Sequence, residues 1–331
     1  MVLRSFDRFW DKAGEKKYGK LPKDGNSYTT GVIGNHNVVL AYMSDMGSNN
    51  AAIVAQGLRT SFLGIDLAFI VGVCGVVPIH TETRDVITLG DCVISTAVIQ
   101  YDLGRQHPNG FKRKTSIDDS LGRANLDVRR LIRKLKVPYN KENLTERLVH
   151  HLEALQKAKS NAQYPGVQQD RLFPTTYIHQ HQNGETCNDC LEDVGVCTRD
   201  CASIGCEGGQ ARERQQLQSI QALPDGTVSD ETINTQPTIH FGRFGSANTV
   251  MKSGSDRDRI AEEGQLAAFE MEGSGIWEVF PTIVIKSACD YADSHKNKKW
   301  QPYAAATAAA GLKALLEELE VDDELTRSGK S

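Results

Sequence analysis

Apolar runs of strand length alternate with amphipathic, helix-spaced stretches over most of the chain. The runs predict strands at 66–73, 90–99, 238–244, 267–269 and 282–288, and a pair of strands around a turn within 31–44. Helical spacing predicts helices at 48–62, 126–135, 143–158, 273–280 and 303–319. Strands that alternate with helices are typical of a mostly parallel sheet. The pattern therefore predicts an α/β sandwich built around such a sheet.

The same pattern divides the chain into one domain with polar ends. Residues 1–29 form a polar, Lys-rich N-terminal segment, 30–320 carry the alternation, and 321–331 form a polar tail that we expect to be flexible. Periodicity is lost over about 160–235, where Cys, Gly, Asn and Gln collect. We interpret that segment as an insertion on the surface of the domain.

Composition excludes several classes of protein. The chain has 331 residues, 24 % of them charged, and a net charge of −4, so no basic excess indicates a nucleic-acid partner. The start lacks the apolar stretch of a secretory signal. The longest apolar run, 67–79, is shorter than the roughly 20 residues that span a bilayer. We therefore expect a cytoplasmic protein with no membrane partner.

Carboxylates follow the last two predicted strands. Glu272 comes just after the strand at 267–269, and Asp290 just after the strand at 282–288. Because ligands bind beyond the carboxyl ends of parallel strands, both groups are expected to face one crevice. A desolvated Asp290 suits general acid catalysis, and Glu272 can accept hydrogen bonds from a vicinal diol, with Met271 covering a sugar or base. An exposed acidic strand end and a helix cap remain the alternative interpretations.

Six ordered segments carry a family resemblance. They are YTTGVIGNHNVVLAYMSDMGSNNAA, FIVGVCGVVP, LGDCVIS with IQYDLG, IHFGRFGSANTVMKSGSDRDRIA, FEMEGSGI and CDYADSHKNKKWQPYAAATAAA. Over about 27–115 and 237–320 the chain resembles the nucleoside phosphorylase and nucleosidase superfamily, most closely a branch of fungal multidomain proteins with NACHT or repeat domains. The resemblance implies a three-layer α/β sandwich, a homo-oligomer, and adenine-type purine nucleosidase activity, with protonation of the base and attack by water on C1′ of ribose.

The resemblance also implies a role for individual residues. Asp290 matches the acid that protonates purine N7, and Glu272 matches the carboxylate that holds the ribose hydroxyls, with Met271 beside the sugar. The other implied substrate contacts are Gly75 in the glycine turn beside the ribose, Val250 and Met251 at the base, and Trp300 as an aromatic cover.

Two departures from the family bear on the nucleophile. Phosphorylases carry an Arg and a Ser where this chain has Ile70 and Val73, which cannot bind an anion, so we favour water over phosphate and keep phosphorolysis as an alternative. Gly47 and Ser48, at a helix N-terminus, can still offer donors to phosphate. The family begins with a strand that ends in a Pro-Leu-Glu turn, whose Glu helps to activate water. This chain starts after the position of that turn, so we expect a truncated start of the domain. A catalytically impaired nucleoside-binding module of a larger signalling protein is therefore a further alternative.

Three lysines follow Asp290, at Lys296, Lys298 and Lys299. They predict either a solvated basic loop or a clamp for phosphates on the 5′ side of the substrate. Some relatives are thought to cleave ATP, so ATP joins adenosine and methylthioadenosine as a candidate substrate.

The insertion also contains a group of potential metal ligands. A C-x-x-C pair, Cys187 and Cys190, precedes Cys201 and Cys206, and these four thiols suit a structural zinc ion. Cys197, His179 and His181 lie nearby, and free surface thiols are the alternative interpretation. Cys74, Cys92 and Cys289 fall in predicted strands and are expected to be core thiols. No other cofactor is expected.

Overall fold

The computed structural model describes residues 1–10, 18–158, 160–181, 187–191, 196–206, 211–213 and 235–319. Its strands are β1 Arg8–Phe9, β2 Ser27–Ile33, β3 His36–Tyr42, β4 Ala68–Val76, β5 Cys92–Gln100, β6 Gly104–His107, β7 Gly110–Arg113, β8 Arg171–Leu172, β9 Arg212–Glu213, β10 Ile239–Ser246, β11 Leu266–Glu270 and β12 Thr282–Asp290. Its α-helices are α1 Ser48–Ser61, α2 Leu126–Leu135, α3 Pro138–Ala158, α4 Asn188–Leu191, α5 Gly254–Gly264, α6 Gly273–Ile276 and α7 Gln301–Leu316.

Five strands close into a barrel in the order β10, β11, β4, β12, β5. The pairs β5–β10, β10–β11 and β4–β12 are parallel, whereas β4–β11 and β5–β12 are antiparallel. The α/β class and the mixed, mostly parallel sheet with flanking helices are confirmed, although closure gives a barrel and not an open layer. Strand β12 is buried at every position except Asp290, as expected of a strand covered on both faces.

Helices pack against the strands of the barrel. Helix α7 packs on β4 and β12 and also against α3, and its alanines, such as Ala304 and Ala308, are fully buried. Helix α1 packs against α6, which follows β11. Strands β1, β2 and β3 form a separate three-stranded sheet. In the described part of the chain, no helix has the length and apolarity that crossing a bilayer requires.

Most predicted elements are present with shifted ends. Helix α3 begins at Pro138, five residues before the predicted start at 143, because proline is well tolerated in a first helical turn. The helix predicted at 273–280 is only the short α6. The hairpin of β6 and β7 lies outside the predicted elements, since its strands are too polar and short to show alternation. The predicted tail at 321–331 lies outside the described residues.

The insertion at 160–235 is more organised than expected of a surface excursion. Its described parts contain β8, β9 and α4, and they bury Phe173, Ile204, Cys197 and Cys206 in a small cluster of their own. Half of the buried side chains in this cluster are thiols, which distinguishes it from the aliphatic core of the barrel.

Candidate active site

A cavity of about 1440 Å³ opens where β4, β11 and β12 end, and it continues over the hairpin of β2 and β3. Seven of the sequence-predicted site residues line it: Gly75, Val250, Met251, Met271, Glu272, Asp290 and Lys296. The two strand-end carboxylates therefore line one cavity, although β11 and β12 lie on either side of β4 and run in opposite directions.

Glu272 is held by a buried lysine. Lys286 Nζ lies 2.7 Å from Glu272 Oε2, and the two side chains are only 7 % and 12 % exposed. The backbone N–H of Gly47 points at Glu272 Oε1 from 3.5 Å, at the start of α1. Lys286 projects from the middle of β12 past Gly72, where an added Cβ would lie 3.3 Å from the ammonium nitrogen. The glycine leaves the room that this lysine occupies.

The electrostatics around Lys286 keep it and Glu272 charged. Burial would raise the pKa of Glu272, but the attraction and hydrogen bond of Lys286 outweigh it and hold that pKa below its ordinary value. Burial would lower the pKa of Lys286, but Glu270 and Glu272 together raise it. Glu270 is buried more deeply, and burial raises its pKa. Its carboxyl accepts hydrogen bonds from the backbone N–H groups of Glu272 and Gly273, so it fixes the turn that presents Glu272.

Asp290 is fixed by the loop that follows it. Lys296 Nζ lies 2.7 Å from Asp290 Oδ1, and the N–H of Ala292 donates to the same oxygen at 2.9 Å. The thiol of Cys289 approaches Asp290 Oδ2 at 3.3 Å. A Cβ added at Gly75 would stand 2.8 Å from both Asp290 Oδ1 and the Ala292 methyl carbon. Gly75 is therefore required for the close approach of this loop to β4.

An apolar wall lies beside the two carboxylates. Met251, Phe269 and Ala292 are buried in one hydrophobic cluster and also line the cavity. The ring of Tyr101 packs edge-on against Phe269, with 5.6 Å between the ring centroids, and holds it in place. Val250 is 44 % exposed at the rim of the cavity. This end of the cavity thus places Glu272 and Asp290, each paired with an ammonium group, beside an apolar surface.

Residues 6–163 match the family model described as Phosphorylase superfamily. This part of the chain is therefore similar to the phosphorylase superfamily. A nucleotide-binding leucine-rich repeat (NLR)-like protein of Hyaloscypha variabilis is 32 % identical over 302 residues, which cover 89 % of this chain. The chain spans only about a quarter (26 %) of that relative's length. Both findings fit the superfamily and the fungal multidomain branch that the sequence motifs indicated.

Solved structures with a similar fold cover nearly the whole chain. The futalosine hydrolase of Helicobacter pylori aligns with a TM-score of 0.51 and 16 % identity, over 96 % of this chain and 92 % of its own. A mutant 5′-methylthioadenosine/S-adenosylhomocysteine nucleosidase of the same species, with 5′-methylthioadenosine in its active site, aligns with a TM-score of 0.51 and 14 % identity, over 96 % and 93 %. At such identities the likeness shows the fold, so the chain has a nucleosidase-type fold.

One predicted substrate contact, Trp300, is not at the cavity. Trp300 is fully buried and does not line the cavity; its ring packs edge-on against Tyr164 and Tyr303, and its Nε1–H donates to the carbonyl of Gln169 at 2.9 Å. The expected aromatic cover is therefore a core residue in this structure. The residue that the resemblance assigned to a cover serves instead to pack the start of α7 against the insertion.

The predicted phosphate contacts are separated in the structure. The N–H and hydroxyl of Ser48 both donate to Asn248 Oδ1, and the N–H of Gly47 points at Glu272, so this helix start is occupied by protein groups. Lys298 and Lys299 are exposed and do not line the cavity. The cavity lysines are Lys296, bound to Asp290, and Lys286, which sequence reasoning missed. The signal for Lys286 was present, since it interrupts an apolar strand, TIVIKSA.

The potential metal ligands form two groups and not the single predicted set. His181, Cys187, Cys190 and Cys197 bring their ligating atoms within 4.8 Å of one another, as do His179, Cys206 and His295. Cys201 and Cys206 are therefore separated from Cys187 and Cys190, contrary to the predicted set of four. Cys74, Cys92 and Cys289 are buried in the barrel, as predicted.

Proposed function

We propose that the chain is an adenine-type purine nucleosidase domain. Asp290 protonates N7 of the base, Glu272 holds the ribose hydroxyls, and water attacks C1′. The observation that carries the proposal is that Glu272 and Asp290, at the ends of β11 and β12, line one cavity beside the apolar wall of Met251 and Phe269. The nucleosidase-type fold, and 5′-methylthioadenosine in the active site of one structural neighbour, support the same substrate class.

Each group then has a chemical task. A purine anion is a poor leaving group, so proton donation to N7 lowers the barrier to breaking the glycosidic bond. Lys296 and the Ala292 N–H hold Asp290 Oδ1, which leaves Asp290 Oδ2, beside the Cys289 thiol, to face the base. The ribose ring becomes oxocarbenium-like as the bond breaks, and the carboxylate of Glu272 stabilises that positive charge.

Water is the nucleophile that the cavity favours. Ile70 and Val73 offer no ligand to phosphate, and the one buried cation beside them, Lys286, is paired with Glu272 at 2.7 Å. Lys286 also supports the second candidate, phosphorolysis, because a phosphate that displaced Glu272 could bind the ammonium group of this lysine.

A third candidate is a nucleoside-binding module without turnover. It is supported by the NLR-like relative, of which this chain spans only a quarter. In that case, the pocket would report the presence of a purine nucleoside to other parts of a larger protein.

One assay separates the three candidates. Purified chain is incubated with adenosine, methylthioadenosine or ATP, with and without phosphate, and free adenine is measured by chromatography while nucleoside binding is measured by calorimetry. We expect adenine release without phosphate. Release only with phosphate would replace hydrolysis by phosphorolysis. Tight binding without adenine release would favour the module. The absence of both binding and release would overturn the proposal.

A further inference from the structure

We infer that the insertion binds two zinc ions, and that the second ion attaches it to the loop that follows Asp290. Site A consists of His181, Cys187, Cys190 and Cys197. Site B consists of His179, Cys201, Cys206 and His295. The ligands of site A lie together in sequence, between two ligands of site B, whereas His295 comes from the loop after β12.

The spacing of site A fits tetrahedral zinc. Zinc–sulfur bonds of about 2.3 Å at the tetrahedral angle place two sulfurs about 3.8 Å apart. Cys187 Sγ lies 3.6 Å from Cys190 Sγ and 3.6 Å from Cys197 Sγ. A nitrogen of His181 completes the group within 4.8 Å. Three thiolates and one imidazole are a donor set that structural zinc sites use.

In site B, the two sulfur distances from His179 fit the same geometry, while Cys201 stands outside the group of His179, Cys206 and His295 whose ligating atoms all lie within 4.8 Å of one another. With a zinc–nitrogen bond of about 2.0 Å, a tetrahedral nitrogen and sulfur are about 3.5 Å apart. His179 Nδ1 lies 3.6 Å from Cys201 Sγ and 3.5 Å from Cys206 Sγ. His179 Nε2 lies 2.7 Å from the carbonyl of Arg199, which can only accept, so Nε2 carries the proton and Nδ1 has a free lone pair. Such a hydrogen bond from the distant ring nitrogen is how metal-ligating histidines are oriented.

His295 supplies the fourth position of site B. Its side chain is 2 % exposed, and its Nε2 has no hydrogen-bond partner among the residues that the structure describes. The ring stacks on Phe173 with 3.9 Å between centroids and packs edge-on against His179. A ligating nitrogen of His295 lies within 4.8 Å of the Cys206 and His179 ligand atoms. Burying an imidazole nitrogen without a partner is costly, and a metal ion would satisfy it.

The insertion has few other means of holding this shape. Phe173 and Ile204 are the apolar residues buried with Cys197 and Cys206 in the described cluster. So small a core gives little hydrophobic stabilisation, and domains of this kind commonly depend on a metal or on disulfides. The cysteines are free thiols in the structure. Each cysteine would release its proton on binding zinc, so the folding of this segment depends on the ion.

The second site is placed to affect Asp290. The N–H of His179 donates to Ser294 Oγ at 3.1 Å, and the N–H of His295 donates to Asp293 Oδ1 at 2.9 Å. The next residue, Lys296, is the one that binds Asp290. An ion at site B would therefore fix the short loop that orients the acid, whereas an ion at site A would not. This consequence for catalysis rests on the proposed function, but the zinc sites do not.

The first test is the metal content of the purified chain, measured by mass spectrometry after purification without chelators. We expect about two zinc ions per chain. Cys190→Ser should remove the ion of site A and Cys206→Ser the ion of site B, leaving about one ion each. His107→Ala, which changes an exposed histidine on β6, should leave both. Absence of zinc, or loss of both ions from either variant, would overturn the two-site arrangement, as would disulfides found by thiol titration of the unfolded chain.

The second test examines His295. His295→Ala should lower the zinc content from two to one, and His295→Cys should restore it because a thiolate can replace the imidazole. Amide hydrogen exchange at 291–297 should become faster in His295→Ala and Cys206→Ser but not in Cys190→Ser. Unchanged zinc content in His295→Ala would remove this residue from site B. These measurements need no turnover, so they stand even if no adenine is released.

If the proposed function holds, the same variants should also differ in their rates of adenine release. Cys206→Ser and His295→Ala should lose adenine release, with His295→Cys recovering it, while Cys190→Ser should retain it. Equal activity in all four variants would show that the site B ion has no effect on Asp290.

Discussion

The two ends of the cavity each pair a carboxylate with a lysine at 2.7 Å, but the pairs are built differently. At the Glu272 end, Lys286 comes from the interior of β12 and its side chain is 7 % exposed. At the Asp290 end, Lys296 comes from a loop and its side chain is 26 % exposed. Breaking a buried pair leaves an unpaired charge in the core, whereas an exposed pair contributes little to stability. Breaking the Glu272 pair should therefore cost more stability than breaking the Asp290 pair, whose lysine is the more exposed partner.

The largest expected effect is on chemistry at the Asp290 end. Asp290→Asn keeps the shape of the side chain but cannot protonate the base, so adenine release should fall by about a thousandfold. The free energy of unfolding should change by less than about 1 kcal/mol, because the lost pair is partly exposed. Steady-state kinetics and urea unfolding measure the two quantities. Asp118→Asn, which changes an exposed aspartate distant in sequence from Asp290, is the matched control. Activity retained in Asp290→Asn would assign the proton to another group.

The second effect is on stability at the Glu272 end. Glu272→Gln leaves the ammonium group of Lys286 buried without its nearest counter-charge, and should lower the free energy of unfolding by about 3 kcal/mol. The double variant Glu272→Gln/Lys286→Met removes the remaining charge and should recover most of that loss without recovering activity. Urea unfolding of the two variants measures the difference. If the double variant is as unstable as the single one, the pair does not explain the stability of this end.

The pH dependence of stability should separate the two ends further. The pKa of Glu272 is held below its ordinary value of 4.5. Its stabilising contribution is therefore complete above that value and is lost as the pH falls through the lower, folded-state pKa. Between about pH 5 and about pH 3, the wild type should lose more stability than Glu272→Gln/Lys286→Met does. Parallel losses in the two proteins would contradict the role of this carboxylate.

The Asp290 and Glu272 ends were not equally predictable from sequence. Both carboxylates follow apolar runs, and the parallel-sheet rule predicted that they would share a crevice. They do line one cavity, but β11 and β12 run in opposite directions on either side of β4, so the rule gave the right outcome for a pair of strands to which it does not apply. The partners were not predictable in the same way, because Lys286 is paired across two strands whose contact depends on the register of the barrel. Trp300 shows the same limit, since a resemblance in sequence cannot distinguish an aromatic cover from an aromatic packed in the core.

The metal ligands show a second limit. The C-x-x-C pair indicates a metal site locally, but assigning Cys201 to the same ion as Cys187 assumed that cysteines close in sequence bind one ion. In the structure Cys197 takes that place, and Cys201 lies beside His179 instead. His295 is distant in sequence from the other ligands, and only the packing of the insertion on the barrel brings it to them.

A smaller effect is expected where the loop of Asp290 meets β4. Gly75→Ala adds a carbon 2.8 Å from Asp290 Oδ1 and from the Ala292 methyl carbon, so the acid must shift and activity should fall on the order of tenfold. Ala292→Gly removes one of the two clashes, and glycine suits the φ of +53° at that position. Kinetics of Gly75→Ala with and without Ala292→Gly should show partial recovery in the double variant. Equal loss in both would mean that the clash lies elsewhere.

The smallest effects concern the lysines, and they test whether the Asp290 end also binds phosphates. Lys296→Met removes the group that holds Asp290 Oδ1, so it should lower adenine release about threefold from adenosine, methylthioadenosine and ATP alike. Lys298→Ala/Lys299→Ala should change none of the three rates, because those side chains lie outside the cavity. A selective loss with ATP in the double variant would instead show a phosphate clamp on the exposed loop. A selective loss with ATP in Lys296→Met would show that this lysine leaves Asp290 when a triphosphate binds.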